Sequence, residues 1–518
     1  MLPAELRGLL RPEAYPHPVE DVRVIQTHIS YVLLAGDWAY KIKKPVDFGF
    51  VDYSSLARRK AMCEEEVRLN QRMCEGVYKG VTPITRVNGE AWVGGEGAPI
   101  EYAVRMTRVP ERQMLPALLE REACNDAHIR AIARKLAQFH ASAQAVRGEY
   151  GSAAALAGVR DENFRQIAPY AGVTIPAADL EGVRAHVAAA LRAHSRLLES
   201  RIARGRVRDG HGDLRADSIV LRDDGSVCFM DCIEFSERLR YGDVAYEVAF
   251  LAMDLDFRGE RRFADCLVSA YLDHAHDETF TVPLNFYRLT RAYIRGKVES
   301  LLLGEAEVEE RDKAEARGRA MRYFALGRGY MAAAPPGLVI TAGLSGTGKS
   351  WLAAALAGRI GAALVRSDFV RRELLPGATG HGYGEGMYTH AMRERVYQAM
   401  FERAQAYLRD GYGVILDGTF ARQAQRAEAR QVAADAGVRF LAVETTAPEM
   451  LVRERMARRE DEPGASDARW DTYLAQRAEF EPLNELGGHE RLVLDSSRPL
   501  DAMVAEAVAR LQAAPRSP

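Results

Sequence analysis

The chain of 518 residues has few cysteines and lacks long apolar runs. Its six cysteines form no C-x-x-C pair and are too few for a disulfide framework, so we expect all six to be reduced, mostly buried thiols. No apolar stretch reaches the roughly 18 residues of a transmembrane helix. Residues 1–21 mix acids, arginines and prolines and hold no apolar signal-peptide core. The sequence therefore predicts a cytoplasmic protein with no membrane partner.

An excess of either charge is also absent. The chain carries 70 lysines and arginines against 72 aspartates and glutamates, a formal net charge of −2, so charge gives no reason to expect a polybasic, histone-like role. Hydrophobic residues make up 47% and charged residues 27%, which excludes a disordered or collagen-like chain. A chain of this length predicts three or four structural units.

One domain boundary is visible in the sequence. A charged, helical stretch over 305–330 is followed by AAAPPG at 332–337 and then by the apolar run LVITAG. Pro-Pro-Gly after a helix is a typical stop signal. We predict a first domain over 1–330 (a small lobe of about 1–108 and a large lobe of about 109–330), a linker over 331–337 and a second domain over 338–518.

The two predicted domains differ in their order of elements. The first begins with strands, including a hairpin over 22–50 that turns at Gly36-Asp37, then a helix over 54–75 opened by Ser54 or Ser55, and becomes mostly helical from about Leu115. The second alternates five short apolar runs with helical segments, which predicts a parallel, doubly wound sheet. The predicted fold class is therefore α+β for the first domain and α/β for the second.

A glycine-rich loop opens the second domain. Residues 343–350 read G-L-S-G-T-G-K-S and match G-x-x-x-x-G-K-[ST] between a predicted strand and a predicted helix, a context that disfavours a mere turn. Such a loop surrounds phosphate oxygens with backbone amides, and the helix dipole favours the anion. Lys349 should reach the β- and γ-phosphates, and Ser350 should hold Mg²⁺. The predicted nucleotide-binding residues are Gly343, Leu344, Ser345, Gly346, Thr347, Gly348, Lys349 and Ser350.

Two carboxylates are expected at the carboxyl edge of the predicted sheet, where ligands bind in open α/β folds. Asp368 ends AALVRSD and could accept the proton of an acceptor hydroxyl. Asp417 ends GVILDGT and could assist a metal through water. A helix N-cap is the alternative role for each.

Arginines in the second domain could form a mobile lid over the transferring phosphate. Arg455 and Arg459 lie four residues apart on a predicted helix and share a face. A solvated charged face is the alternative for any one of these arginines.

The second domain resembles the P-loop kinases of the nucleoside-monophosphate-kinase-like group. Within it, the chain is similar to the branch of polynucleotide 5′-hydroxyl kinases, zeta-toxin-like sugar-nucleotide kinases, gluconate kinases and chloramphenicol phosphotransferases. The loop 343–350, the D-x-x-R of Asp368 and Arg371, and Asp417 carry the resemblance. It implies that Asp368 is the catalytic base and that Arg371 belongs to the catalytic set, and it leaves the acceptor open.

The first domain carries a second catalytic pattern. His211-Gly212-Asp213-Leu214 is followed, across a hairpin, by Asp231 at the end of a strand. This arrangement is typical of protein-kinase-like folds, in which Asp213 would take the acceptor's proton and Asp231 would hold Mg²⁺. Lys41, in the strand A-Y-K, is the predicted phosphate-binding lysine, with Lys43 as the alternative. Glu66 is the predicted ion-pair partner of Lys41. The alternative is that Lys41 and Glu66 are two surface charges that do not interact.

Residues 1–330 resemble the aminoglycoside-phosphotransferase and choline-kinase-like family, which implies a bilobal kinase fold. HGDL, Asp231 in FMDCIEF, ARKLAQFH at 133–140 and Asp243 carry the resemblance. Where the family has H-G-D-L-H-x-x-N, this chain has Arg215 and, at the metal-binding asparagine, Ser218, and the loop over 26–31 contains no glycine. The full chain resembles bacterial two-domain proteins that join such a domain to a P-loop kinase.

The leading functional hypothesis is an Mg²⁺-dependent kinase that uses ATP or GTP and phosphorylates a hydroxyl of a small-molecule acceptor. The departures at Arg215 and Ser218 support an alternative, in which the first domain is a non-catalytic sensor or binding module that regulates the second. A nucleic-acid 5′-hydroxyl kinase is the third hypothesis. The near-neutral charge and the lack of a basic-aromatic groove disfavour nucleic acid as a partner.

Overall fold

The computed structural model describes residues 2–49, 51–305, 308–332, 336–375, 389–461 and 470–513, with the side chains of 458–461 excepted. The strands are β1 (Val22–Gln26), β2 (Ser30–Ala35), β3 (Trp38–Lys43), β4 (Tyr78–Val87), β5 (Glu90–Val93), β6 (Pro99–Thr107), β7 (Val207–Asp209), β8 (Ile219–Leu221), β9 (Val227–Phe229), β10 (Tyr241–Asp243), β11 (Gly337–Ala342), β12 (Ala363–Arg366), β13 (Val414–Asp417), β14 (Arg439–Thr446) and β15 (Arg491–Asp495). The α-helices are α1 (Leu56–Gln71), α2 (Leu115–Glu120), α3 (Asp126–Ser142), α4 (Ala153–Ile167), α5 (Ala177–Ala203), α6 (Glu237–Arg240), α7 (Val244–Phe257), α8 (Arg261–His274), α9 (Leu284–Leu301), α10 (Glu310–Gly329), α11 (Lys349–Ile360), α12 (Ser367–Leu374), α13 (His390–Arg409), α14 (Gln423–Asp435), α15 (Glu449–Asp461), α16 (Trp470–Glu479) and α17 (Leu500–Ala513).

Packing divides the chain into two compact units. The first comprises Met1–Ser152 and Leu197–Glu247, and the second comprises Ala153–Arg196 and Val248–Pro518. The second unit thus contains helices that precede the predicted linker as well as the sheet that follows it. The domain boundaries given above stay a prediction.

The first unit is built on a six-stranded antiparallel sheet. Its strand order is β1-β2-β3-β6-β4-β5, and the predicted hairpin is confirmed by the pairing of Ala35 with Trp38 across Gly36-Asp37. Helix α1 begins after Ser55, whose hydroxyl accepts a hydrogen bond from the Arg58 amide, as an N-cap residue does. The helix packs on β4 and β6 and buries Glu66, which brings this carboxylate to the sheet.

The sheet of the second unit confirms the predicted parallel α/β fold. Its five strands are parallel in the order β12-β13-β11-β14-β15. The carboxyl ends of β11, β12 and β13 therefore meet at one edge, with the glycine-rich loop after β11. Asp417 ends β13 as predicted. Asp368 does not end its strand, because β12 stops at Arg366 and Asp368 lies in the first turn of α12.

One expectation about the cysteines is wrong. The structure joins Cys74 and Cys228 in a disulfide, with Cα atoms 4.5 Å apart, and the other four cysteines form no disulfide. The two residues lie 154 positions apart and are brought together only by packing of the first unit, so their local sequence carries no sign of the pair. In the described part of the chain, no helix combines the length and the apolar character that crossing a membrane requires.

Candidate active site

The glycine-rich loop of the second unit needs glycine at its two ends. Gly343 has a φ of +129°, and a Cβ there would lie 2.5 Å from the carbonyl oxygen of Thr445. Gly348 has a φ of +90° and caps the N-terminus of α11. Only glycine takes up such conformations without strain, so the loop can turn its backbone toward the helix N-terminus. A loop of this shape at a helix N-terminus is suited to an anion, so anion binding here stays a prediction of the motif.

Lys349 and Ser350 are the first two residues of α11. The Lys349 side chain is buried and its Nζ donates a hydrogen bond to the Leu344 carbonyl, 2.7 Å away, across the loop. Thr347 closes the same turn by donating to Leu344 O at 2.7 Å and by pairing with the Thr445 hydroxyl. The predicted phosphate lysine is thus held inside the loop by the loop's own backbone.

Gln476 is a residue of this site that the sequence analysis did not select. Its side-chain carbonyl on α16 accepts a hydrogen bond from the Ser345 amide at 2.8 Å. Beside it, Tyr473 packs with Val452, Met456 and the partly buried Leu344 of the loop. Helices α15 and α16 therefore contact the loop through both an apolar cluster and a polar bond.

Of the two predicted lid arginines, one can be placed. Arg455 on α15 donates to the Ser496 hydroxyl at 2.8 Å and to the Ser496 carbonyl at 2.7 Å, and its guanidinium lies 3.4 Å from the Gly346 carbonyl. The structure thus brings Arg455 to the loop. The side chain of Arg459 lies outside the described residues.

The two predicted carboxylates occupy different environments. Asp368 accepts a hydrogen bond from Arg371 at 2.7 Å and is partly exposed, so the D-x-x-R spacing joins the two residues on one turn of α12. Asp417 is buried, accepts a hydrogen bond from the Thr341 hydroxyl at 3.0 Å, and lies 3.4 Å from the Nε of Arg366. Asp368 is therefore open to a ligand, while Asp417 is fixed by its neighbours.

The donors at this edge fit a magnesium ion. Ser350 offers a hydroxyl and Asp417 a carboxylate, and hard oxygen donors are those that Mg²⁺ prefers. Within the described ranges, no group of three or more His, Cys, Asp or Glu side chains could hold a metal ion. Mg²⁺ bound with a nucleotide takes most of its ligands from phosphate and water, so such a group is not needed.

In the first unit, the structure brings Lys41 to Glu66, its predicted partner, and to Asp231, the predicted metal ligand. Its Nζ lies 2.8 Å from Glu66 and 3.0 Å from Asp231. Asp231 has a φ of +62°, and its backbone amide donates a hydrogen bond to the Tyr78 hydroxyl, 3.1 Å away. Burial alone would lower the pKa of Lys41, but the charges of Asp231 and Glu66 outweigh it and raise that pKa well above its usual value.

Lys43, the alternative lysine, is buried between two carboxylates of the first unit. It is fully buried, lies 2.8 Å from Glu66, and also pairs with Glu234, which accepts a hydrogen bond from the Tyr53 hydroxyl. Burial alone would raise the pKa of Glu66, but the two lysines outweigh it and lower the pKa to about 2. Glu66 therefore serves both lysines, and only Lys41 also reaches Asp231.

The HGD loop is held from below by Glu247, a residue that the sequence did not single out. Its carboxylate accepts hydrogen bonds from the amides of His211 at 2.8 Å and Gly212 at 3.4 Å, and it lies 3.3 Å from His140 of the ARKLAQFH helix. The His211 ring bonds to the Met230 carbonyl at 2.7 Å, which ties the loop to the strand before Asp231.

The residues that depart from the family pattern contact the predicted base. Arg215 donates to the Asp213 carboxylate at 3.2 Å and to Asp217 at 2.8 Å. The Ser218 hydroxyl, at the position of the family's metal-binding asparagine, donates to the Asp213 carbonyl at 3.4 Å. In this arrangement the Asp213 carboxylate is paired with a cation of its own loop.

Comparison with known proteins assigns a family model to part of each of the two predicted domains. Residues 56–280 match the model of the Phosphotransferase enzyme family, and residues 338–483 match the AAA_33 model, described as an AAA domain. The uncharacterized protein Rv2004c of Mycobacterium tuberculosis is 32% identical over 462 residues, which are 87% of this chain and 89% of that protein. The chain belongs to the same family. The uncharacterized protein Mb2027c of Mycobacterium bovis matches to the same extent. In the present chain, a phosphotransferase-family region precedes a P-loop kinase region.

Two solved structures match one region each. A gluconokinase from Sinorhizobium meliloti is 22% identical, with a TM-score of 0.27, and the match covers 35% of this chain and 93% of that one. A choline/ethanolamine kinase family protein from Mesorhizobium loti is 15% identical, with a TM-score of 0.37, covering 60% of this chain and 92% of that one. At these TM-scores the family assignment rests on the family models and the mycobacterial relatives. Both regions of this family member are of kinase type, and their acceptors are not established.

Proposed function

We propose that the protein is an Mg²⁺-ATP-dependent phosphotransferase whose P-loop region, over 338–518, transfers the γ-phosphate to a hydroxyl of a small molecule. The observation that carries the proposal is the enclosure of Lys349 by the glycine-rich loop at the sheet edge that also presents Asp368 and Asp417. Phosphoryl transfer requires that the reactants are positioned and that the charge of the phosphates is neutralised. This edge of the sheet has backbone amides, a lysine and two carboxylates for these tasks.

The residues divide the work as follows. The loop amides and Lys349 bind the phosphate oxygens, and Arg371 orients the Asp368 carboxylate. Asp368 accepts the proton as the acceptor oxygen forms its bond to the γ-phosphorus and the bond to the bridging oxygen breaks, leaving a nucleoside diphosphate. Ser350 and Asp417 would hold Mg²⁺, which supplies charge neutralisation between the β- and γ-phosphates when bound.

The test is transfer from γ-labelled ATP to pools of sugars, other metabolites, aminoglycosides and oligonucleotides, with GTP run in parallel. Asp368→Asn should reduce transfer by about 10²- to 10⁴-fold, the contribution typical of a general base, while leaving ATP binding within about twofold. Asp435→Asn, at the exposed C-terminal end of α14, is the matched control. Full activity of Asp368→Asn would refute the assignment, and transfer to oligonucleotides alone would replace the small-molecule acceptor by a nucleic-acid end.

A second candidate concerns the first unit. Because Arg215 pairs with Asp213, we propose that this region binds a nucleotide or an acceptor without turnover and so acts as a sensor. The test is the full chain with Lys349→Met. If any transfer remains and disappears on adding Asp213→Asn, the first unit is itself a kinase; if no transfer remains while ligand binding persists, the sensor role is supported.

A further inference from the structure

Arg366 links the two kinase-type regions inside the second unit. It is the last residue of β12, faces Asp417 in the strand register, and is almost fully buried. Its Nε lies 3.4 Å from the Asp417 carboxylate, and its NH1 lies 2.9 Å from the carboxylate of Asp273, at the end of α8. One buried guanidinium is therefore shared between the predicted metal carboxylate and a residue of the phosphotransferase-family region.

This link is part of a longer contact. The segment 272–281 covers β12, which is an edge strand of the parallel sheet, and the Leu364 amide donates to the Glu278 carbonyl at 2.9 Å. The ring of His276 stacks on Phe369, with centroids 4.0 Å apart, directly after Asp368 in the chain. The segment thus packs against the residues on both sides of the predicted base.

The charges of the three residues decide what the link does. A buried cation needs a negative charge nearby. Arg366 has two carboxylates beside it, so the group of three side chains carries a net charge of −1. One carboxylate oxygen of Asp417 accepts a hydrogen bond from Thr341, and the guanidinium of Arg366 lies near the other oxygen. The Arg366 guanidinium lies nearer to Asp273, at 2.9 Å, than to Asp417, at 3.4 Å, so a neutral residue at position 273 would leave more of its attraction for Asp417.

We propose that Asp273 and Arg366 are positioning residues for the P-loop site, which keep the Asp417 carboxylate oriented to assist a bound Mg²⁺. The inference rests on the proposed function, because it assigns a task to the same site. It makes the end of α8, outside the P-loop region, a working part of that site.

The experiment uses the full chain and measures ADP binding by calorimetry over a range of Mg²⁺ concentrations. Asp273→Asn should raise the Mg²⁺ concentration for half-maximal binding by about tenfold, the lower end of the effect of groups that hold a metal ligand in place. Asp273→Glu, which keeps the charge, should stay within about twofold of the wild type. Transfer assays should show the same dependence.

Asp265→Asn is the matched control. Asp265 also lies on α8 and pairs with Arg359 in the last turn of α11, about 15 Å along the helix from Lys349. It should lower thermal stability without changing the Mg²⁺ dependence. An unchanged Mg²⁺ dependence in Asp273→Asn, or an equal shift in Asp265→Asn, would overturn the inference alone. A wild-type protein that binds no nucleotide would overturn the proposed function as well.

Discussion

The two candidate sites neutralise charge in different ways. In the first unit, Lys41 and Lys43 are surrounded by carboxylates, and the predicted base Asp213 is paired with Arg215. In the second, Lys349 donates to a backbone carbonyl of the glycine-rich loop. A site built from paired side chains also holds its fold together, whereas a site built from loop backbone can exchange its internal bonds for phosphate oxygens. From this difference we predict that the P-loop region of the second unit catalyses transfer and that the first unit binds a ligand without turnover.

Lys349→Met should have the largest effect on catalysis. The loss of the loop cation should reduce transfer by about 10²- to 10³-fold, because a preorganised group aimed at the developing charge is removed. Lys41→Met should change transfer by less than about twofold if the first unit does not turn over. Steady-state transfer assays of both variants decide the comparison, with Lys313→Met, a lysine ion-paired with Glu310 on α10, as the control. The opposite ranking would make the first unit the catalyst.

For stability, the larger effect should come from the first unit: Lys43→Met should lower the free energy of unfolding more than Lys349→Met does. The change leaves the buried carboxylates of Glu66 and Glu234 with less positive charge, so the free energy of unfolding should fall by about 3–5 kcal/mol. Lys349→Met should cost about 1 kcal/mol, because only a hydrogen bond to a carbonyl is lost. Urea unfolding measures both, and Lys60→Met, an exposed lysine of α1, is the control. An equal loss for Lys349 and Lys43 would remove the contrast between the sites.

Much of each site could be predicted because its signals are local. The hairpin of β2 and β3, the glycine-rich loop, the D-x-x-R turn and the HGD loop are each fixed by spacing over a few residues, and the structure contains all of them. The predicted pairing of Lys41 with Glu66 is also present in the structure.

The rest depends on packing between distant segments. Glu247 supports the HGD loop from 36 positions away, and Gln476 reaches the glycine-rich loop from 131 positions away. The disulfide between Cys74 and Cys228 has the same character. Nothing in the neighbourhood of these residues distinguishes them from surface or core positions, so a single sequence could not select them.

Acid should weaken the first unit through Glu66. Its pKa in the folded protein is lowered to about 2 from 4.5, mainly by Lys41 and Lys43 against the effect of burial. The stability that this ionisation contributes is fully present above pH 4.5 and is lost as the pH falls through 2. Glu66→Gln should therefore lose about 3 kcal/mol of unfolding free energy at pH 7, with a gap to the wild type that narrows below pH 4.5.

Urea unfolding at a series of pH values measures that gap. Glu64→Gln, an exposed position two residues away on α1, should run parallel to the wild type. A gap between Glu66→Gln and the wild type that stays constant from pH 7 to pH 3 would mean that Glu66 is not an ionised partner of the two lysines.

Gln476→Ala should have the smallest effect, and it tests whether the loop backbone of the second unit is exchangeable. The Gln476 side chain occupies the Ser345 amide at 2.8 Å, so a phosphate oxygen that uses this amide must displace it. One neutral hydrogen bond is worth about 1 kcal/mol, and its removal should tighten ATP binding by about two- to fivefold. Calorimetry with Gln431→Ala, on the exposed face of α14, as the control measures this. Weaker ATP binding in Gln476→Ala would instead make Gln476 a nucleotide contact, and the loop would then depend on side chains as the first site does.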